Sequence, residues 1–193
     1  DGMAKLFFRY GAMGASKSAN ALMVDYNYFE RGQNTLVMKP EIDNRDGKSI
    51  VKSRIGIWKE AFIVKKESNL FEETVKTNTA KTIHCVIVDE AQFLSREQVK
   101  QLSDVVDYLE IPVIAYGLRT DFQGNLFEGS MWLLAWADSI EEIKTVCFCS
   151  HKAIMNARIC NGKVVKEGEQ IMIGGNESYI ALCRKHWKEG KIV

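Results

Sequence analysis

Leu6-Phe-Phe-Arg-Tyr10 runs directly into Gly11-Ala-Met-Gly-Ala-Ser-Lys17-Ser18, and apolar residues at helical spacing follow from Ala19 to Arg31. A short apolar run, a glycine-bearing turn and a helix in that order predict a strand that feeds a phosphate-binding loop. Such a loop needs backbone N–H groups turned toward the phosphates, a lysine reaching the β- and γ-phosphates, and a hydroxyl for Mg²⁺ at the helix N-terminus. Lys17 and Ser18 supply the last two. The pattern G-x-x-x-x-G-K-[ST] is met at every fixed position but one, because Ser16 stands where the second glycine belongs. The competing reading is an ordinary strand-to-helix turn with a surface Lys-Ser pair.

Further along, Ile83-His-Cys-Val-Ile-Val88 is a continuous apolar run that ends in Asp89-Glu90-Ala-Gln92-Phe93. Runs of this kind are strands buried on both faces of a parallel sheet. Open α/β sheets bind ligands at the C-terminal ends of their strands, where these two carboxylates fall. One carboxylate can hold Mg²⁺ while the next serves as a base. Asp-Glu after a strand is otherwise a helix N-cap in a favourable dipole. The two motifs in the right order argue against that reading for both.

Other segments fill in an α/β pattern. Leu22, Met23, Tyr26 and Phe29 predict the buried stripe of a helix that stops at Gly32, and Thr35-Leu-Val-Met-Lys39 a second strand halted by Pro40. Residues 40–56 are polar and turn-rich and are read as a loop able to move. Ser95 caps a helix whose apolar face is Val99, Leu102, Val105, Val106 and Leu109, and Pro112-Val-Ile-Ala-Tyr-Gly117 is a further strand. Alternation continues to about residue 140, which predicts a parallel sheet flanked by helices, as in P-loop nucleotide-binding proteins.

After Lys144 the character changes. Ala157-Arg-Ile-Cys160 and Lys163-Val-Val165 flank Asn161-Gly162, a strong two-residue hairpin signal. Cys147-Phe-Cys149 precedes the hairpin and Cys183-Arg-Lys-His186 follows it, so the segment resembles a zinc ribbon. Tetrahedral zinc binds thiolate and imidazole at about 2.0–2.3 Å. His151 is a spare ligand candidate; buried, unliganded cysteines are the alternative, and Cys85 and Cys160 are read as core. The expected division is a nucleotide-binding domain over residues 1–143 and a small zinc-binding lid domain over residues 144–193.

With 26 basic and 25 acidic side chains in 193 residues, the net charge of +1 gives no footprint for nucleic acid or an anionic membrane. No apolar stretch reaches the roughly 20 residues that span a bilayer. The N-terminal residues lack a basic region followed by a long apolar one, and five cysteines beside nucleotide-site motifs favour metal ligation in a reducing compartment. The expected location is the cytoplasm.

These elements together make the chain similar to the type II thymidine kinases. The resemblance covers nearly the whole chain. Ile42-Asp43-Asn-Arg45 resembles the family's Asp-x-Arg loop, Ser53-Arg54-Ile-Gly56 its Ser-Arg-x-Gly turn, and Asp89-Glu-Ala-Gln-Phe93 its Mg²⁺ and base segment. Tyr116-Gly-Leu-Arg-Thr-Asp-Phe122-Gln-Gly124 and Gly168-Glu-Gln-Ile-Met-Ile-Gly-Gly-Asn-Glu-Ser-Tyr179 resemble its two nucleoside-pocket segments. The Cys-x-Cys and Cys-x-x-His pairs match its bacterial zinc pattern.

The resemblance implies transfer of the ATP γ-phosphoryl to the 5′-hydroxyl of thymidine. It implies Glu90 as general base, and Gly11, Ala12, Met13, Gly14, Ala15, Ser16, Lys17 and Ser18 around the phosphates. Asp89 and Ser18 would serve Mg²⁺, Gln92 would belong to the same nucleotide side, Arg45 would meet the transferring phosphoryl group, and Asp43 would support the metal. Met13, Phe93, Leu118, Phe122 and Tyr179 would surround thymine, with backbone groups of Gln170, Ile171, Met172, Ile173 and Gly174 at its polar edge. Cys147, Cys149, Cys183 and His186 would hold structural Zn²⁺. A homotetramer and feedback by thymidine triphosphate are implied as well. Two rivals stand beside this reading. Val-Asp-Glu-Ala-Gln also resembles a helicase box, although 193 residues cannot hold two motor domains, and a zinc-ribbon adaptor with an inactive nucleotide site would account for Ser16.

Overall fold

The computed structural model describes residues 3–41, 50–54, 56–172 and 178–193. In chain order the elements are β1 (Leu6–Tyr10), α1 (Lys17–Glu30), β2 (Thr35–Pro40), β3 (Ile50–Lys52), β4 (Trp58–Glu60), β5 (Phe62–Val64), α2 (Leu70–Ala80), β6 (Cys85–Val88), α3 (Arg96–Leu109), β7 (Val113–Gly117), α4 (Glu128–Trp136), β8 (Ser139–Glu142), β9 (Met155–Cys160), β10 (Lys163–Val165), β11 (Ser178–Leu182) and α5 (Arg184–Glu189). A short 3₁₀ turn, Ala91–Phe93, joins β6 to α3.

Every residue of β6 and β7 is buried, as strands covered on both faces must be. They are central in a six-stranded sheet of order β5-β2-β6-β7-β1-β8. All its pairings are parallel, with Leu6 opposite Val113 and Tyr10 opposite Gly117. One apolar cluster fills the face under α2, α3 and α4, with Phe8, Met38, Val86, Val99, Leu102 and Leu133 at its centre. A smaller one, including Ala21, Leu22, Val37 and Ile87, lies under α1. The predicted start of α3 is present as a reciprocal capping box: Ser95 Oγ accepts the Gln98 N–H at 3.1 Å, and Gln98 Oε1 accepts the Ser95 N–H at 3.2 Å.

Two expectations require correction. Met23, Tyr26 and Phe29 do not form the buried stripe of α1; they are 57%, 55% and 71% exposed. The phosphate loop fixes the rotation of this helix. Ser18 must face Asp89, and residues three, four, seven and ten positions later share that face. Those residues are Ala21, Leu22, Asp25 and Tyr28: the first two are buried, Asp25 pairs with Lys59, and Tyr28 packs on the cluster beneath. Residues 40–56 also contain more than a loop, since β3 pairs antiparallel with β4 and Val51 is buried. Three-residue strands are too short to show alternation in sequence. Residues 42–49 of this stretch, with Asp43 and Arg45, and Ile55 lie outside the described residues.

After β8, the antiparallel sheet β10-β9-β11 stands beside the parallel one. Asn161 and Gly162 turn the predicted hairpin with positive φ values of 51° and 74°. Cys85 is fully buried as expected, whereas Cys160 at the end of β9 is only half-buried.

Candidate active site

β1 sends the chain into the loop at the C-terminal edge of the sheet, beside the tips of β2, β6 and β7. The Gly11 N–H bonds the Gly117 carbonyl at 3.2 Å, and a Cβ at Gly11 would stand 2.4 Å from the Ile143 carbonyl oxygen, so only glycine fits this passage. Ser16 adopts the left-handed conformation, φ 59° and ψ 32°. This is the conformation for which the missing glycine is suited, and serine accepts it at a cost of about 1–2 kcal/mol. No acidic residue occupies the first turn of α1 and no side chain caps it, which leaves the positive end of the helix dipole for an anion.

Asp89 follows β6 and is buried. Its Oδ2 accepts the Ser18 hydroxyl at 2.7 Å and its Oδ1 accepts the Glu90 N–H at 3.0 Å. Hydroxyl and carboxylate are thus brought together as two hard oxygen donors, the set that Mg²⁺ takes alongside phosphate oxygens. Glu90 has φ 52°, a strained angle for glutamate, and Gln92 fixes its side chain: the Gln92 amide donates to Glu90 Oε2. Gln92 Oε1 in turn accepts the Leu118 N–H at 3.1 Å. Gln92 itself is buried, so it holds Glu90 and the 118 segment in register from behind.

Lys17, Ser18, Asp89 and Glu90 meet on one cavity of about 410 Å³, together with Met13, Gly14, Ser16 and Leu118. Its wall also carries Lys39, Lys52 and Arg54. Among the described residues, four cations against two carboxylates suit a polyphosphate. Lys17 Nζ lies 3.0 Å from the Ala12 carbonyl, and Lys39 Nζ 3.0 Å from the Ile50 carbonyl.

Phe122 and Tyr179 are joined through Arg158, which the sequence reading passed over. Its guanidinium lies 3.6 Å above the Phe122 ring centre, its Nε donates to the Tyr179 hydroxyl at 2.9 Å, and its Nη2 to the Gln170 carbonyl at 3.0 Å. Phe93 stands edge-on to Phe127 with ring centres 5.5 Å apart. Ile171 is half-buried and Met172 exposed, and Ile173 and Gly174 lie outside the described residues.

Cys147, Cys149, Cys183 and His186 bring one ligand atom each within 4.8 Å of one another. Cys149 Sγ to Cys183 Sγ is 3.9 Å, Cys147 Sγ to His186 Nδ1 3.6 Å, and Cys183 Sγ to His186 Nδ1 3.4 Å. These match the edges of a zinc tetrahedron, about 3.8 Å between thiolates at ordinary Zn–S lengths. Burial works against ionising Cys147, yet backbone N–H groups of Cys149 and Cys183 and the His186 ring bring its thiol down to about 6. Phe148 stacks on His186 at 4.6 Å, whereas His151 sits outside the four with Nδ1 3.2 Å from Cys149 Sγ. The donor set therefore fits zinc.

Comparison with known proteins agrees with this geometry. The thymidine kinase family model matches residues 4–187. The chain belongs to the thymidine kinase family. A thymidine kinase of Haemophilus influenzae Rd is 57% identical over 188 residues, 97% of each chain. Those of Mannheimia succiniciproducens and Shewanella oneidensis are 56% and 55% identical over 97% of this chain and 96% and 98% of their own.

Within this thymidine kinase fold, Lys17, Ser18, Asp89 and Glu90 share one cavity and Cys147, Cys149, Cys183 and His186 one cluster, while Lys39, Asn156 and Arg158 had not been singled out from the sequence. Lys39 was legible as the last strand residue before Pro40, at the edge where ligands bind. Asn156 gave no such signal. Its Oδ1 accepts the Met13 N–H at 2.8 Å and its Nδ2 donates to the Thr120 carbonyl at 2.9 Å, so it ties the 11–18 loop to the segment that follows β7. No described helix is long and apolar enough to cross a membrane.

Proposed function

We propose that this member of the family transfers the γ-phosphoryl group of ATP to the 5′-hydroxyl of thymidine, giving ADP and thymidine monophosphate. The observation that carries this is the convergence of Lys17, Ser18, Asp89 and Glu90 on one cation-rich cavity at the sheet's C-terminal edge. Phosphoryl transfer asks the protein for positioning and charge stabilisation. Lys17 and the amides of residues 11–18 hold the phosphates. Ser18 and Asp89 hold Mg²⁺, which when bound neutralises charge on the phosphate oxygens. The Glu90 carboxylate takes the 5′-hydroxyl proton as that oxygen bonds to the γ-phosphorus and the bond to the β-phosphate oxygen breaks. Arg45 and Asp43 are assigned to the transferring group and the metal shell on the resemblance alone.

Met13, Phe93, Leu118, Phe122 and Tyr179 form the thymine pocket in this reading, and the backbone of 170–174 reads the edge of the base. Gln92 serves the nucleotide side by holding Glu90. Residues 1–143 act as the nucleotide-binding domain and 144–193 as the lid domain, which structural Zn²⁺ on Cys147, Cys149, Cys183 and His186 anchors. Thymidine triphosphate carries a thymine and a triphosphate in one molecule, so the same groups accept it as a feedback inhibitor. The exposed Met23, Tyr26 and Phe29 row on α1 is the kind of surface a second copy covers, which supports a homotetramer. The enzyme works in the cytoplasm.

A coupled assay of ATP against the four deoxynucleosides tests the reading. Turnover is expected with thymidine and Mg²⁺ and is indifferent to polynucleotide. ATP hydrolysis stimulated by polynucleotide and not by nucleoside would transfer the site to the helicase-like class.

A further inference from the structure

β9 carries two unlike faces. Ala157 and Ile159 point into the apolar cluster that includes Cys147, Leu182 and Cys183. Asn156 and Arg158, on the opposite face by the period of two, are 3% and 1% exposed. Long charged side chains are almost never this buried without a partner of opposite charge. Among the described residues no carboxylate forms an ion pair with Arg158. Its partners are instead an aromatic face, a phenol oxygen and a backbone carbonyl, and among the described residues its Nη1 is without a hydrogen-bond partner.

A buried anion reaches it indirectly. Asp121 accepts the N–H groups of Gln123 and Asn125 at 2.9 and 3.0 Å, and its Oδ2 accepts Gln170 Nε2 at 2.9 Å. Gln170 therefore joins a buried carboxylate through its side chain to a buried guanidinium through its carbonyl. Gly168 makes room for the arrangement. A Cβ there would stand 3.2 Å from Arg158 Nη1, and its φ of 128° is one that other residues rarely adopt.

We propose that Arg158 is a positioning residue that fixes how Phe122, Tyr179 and the 170 backbone stand relative to one another, and thereby selects a flat pyrimidine nucleoside. The inference rests on the reading of those three as pocket walls. Only a planar guanidinium can stack on one ring while donating in its own plane to a second residue and a third. Lysine keeps the charge and loses both functions. In that reading the buried cation ties the rings together, so a base of the wrong shape cannot be accommodated by a shift of either wall.

Arg158→Met, Arg158→Lys, Tyr179→Phe, Phe122→Ala and the Arg158→Met/Tyr179→Phe double variant make the test, with steady-state kinetics and melting temperature measured on the full chain. Arg158→Met is expected to raise the thymidine KM on the order of tenfold with the ATP KM within about twofold, and Arg158→Lys to recover little of the loss. The double variant is expected to fall well short of the product of the singles, because both remove one contact. If Arg158→Met does not fold, Arg158→Lys and Tyr179→Phe carry the comparison. A lowered melting temperature with both KM values unchanged, equal rises in both, or strict additivity would overturn the inference. Should Phe122→Ala leave the thymidine KM unchanged, the pocket reading beneath it fails instead.

Discussion

At the proposed phosphate end of the cleft, Lys17, Ser18, Asp89 and Glu90 come from two runs of sequence, each following a strand of the parallel sheet. At the proposed base end, Phe122, Arg158, Gln170 and Tyr179 come from separate segments, and the Arg158 side chain makes the contacts that unite them. The first end is held largely by backbone: the Gly11 N–H on Gly117, the Asp89 N–H on Met38, and sheet register on both sides. Phosphates need donors at fixed spacing, which one tight loop provides. A base needs flat walls a fixed distance apart, which no single loop can provide.

The largest effect that separates the two ends is at Glu90. Glu90→Gln is expected to lower kcat by about 10²–10⁴-fold, the usual worth of general-base help, with both KM values near those of the parent. The amide keeps the shape and the Gln92 contact can re-form by rotation, so a variant with half the parent kcat would remove Glu90 from the chemistry.

Next comes the cluster of Cys147, Cys149, Cys183 and His186. Structural zinc contributes on the order of 10 kcal/mol of apparent folding energy in small metal-dependent units. Cys183 directly follows β11, four residues beyond Tyr179, and stands at the N-cap position of α5, which carries His186. Cys183→Ser is therefore expected to lose zinc and to raise the thymidine KM on the order of tenfold, with a smaller change for ATP. Amides of residues 166–172 should exchange faster in it, and faster in the parent without thymidine than with it. Full zinc content, or exchange indifferent to thymidine, breaks the link between metal and base end.

The same contrast explains what the sequence made legible. A phosphate loop and an acidic strand tip are local patterns, and so are Cys-x-Cys and Cys-x-x-His around an Asn-Gly hairpin; short spacing fixes their geometry. Arg158 and Asn156 escaped because alternation in β9 reads as one apolar face and one solvent face. The polar face is in fact buried against a segment over thirty residues away in sequence. The row Met23, Tyr26, Phe29 misled for a related reason: helical period gives a stripe but not its direction, and Ser18 on Asp89 decides the rotation. Nothing in three residues of β3 could announce a strand.

Asn156 is where the two ends meet, so it sharpens the comparison most directly. Asn156→Ala strands the Met13 N–H and the Thr120 carbonyl, each now held at under 3 Å. An unmade buried hydrogen bond costs about 1–3 kcal/mol. Unlike Arg158→Met, this change is expected to raise both KM values, by several-fold each. A rise confined to ATP or to thymidine would mean that Asn156 serves one end alone.

The smallest effect is at Ser16, and its sign is the informative part. Serine at φ 59° carries about 1–2 kcal/mol of strain that glycine does not. Glycine gives back about 0.5–1 kcal/mol through the larger freedom of its unfolded chain. The Ser16 side chain is exposed and makes no capping hydrogen bond, so its removal costs nothing further. Ser16→Gly should therefore stabilise the protein slightly. For a chain of this size, about 2–4 °C of melting temperature accompanies each kcal/mol, and a rise of a few degrees at most is expected. The loop already holds the left-handed angle, so phosphates meet the same backbone and activity should stay within a few-fold. A lowered melting temperature would show that the serine hydroxyl has a partner of its own. No thymidine phosphorylation by the parent, with recovery in Ser16→Gly, would show that serine had inactivated the loop and would return the phosphate end to the adaptor reading.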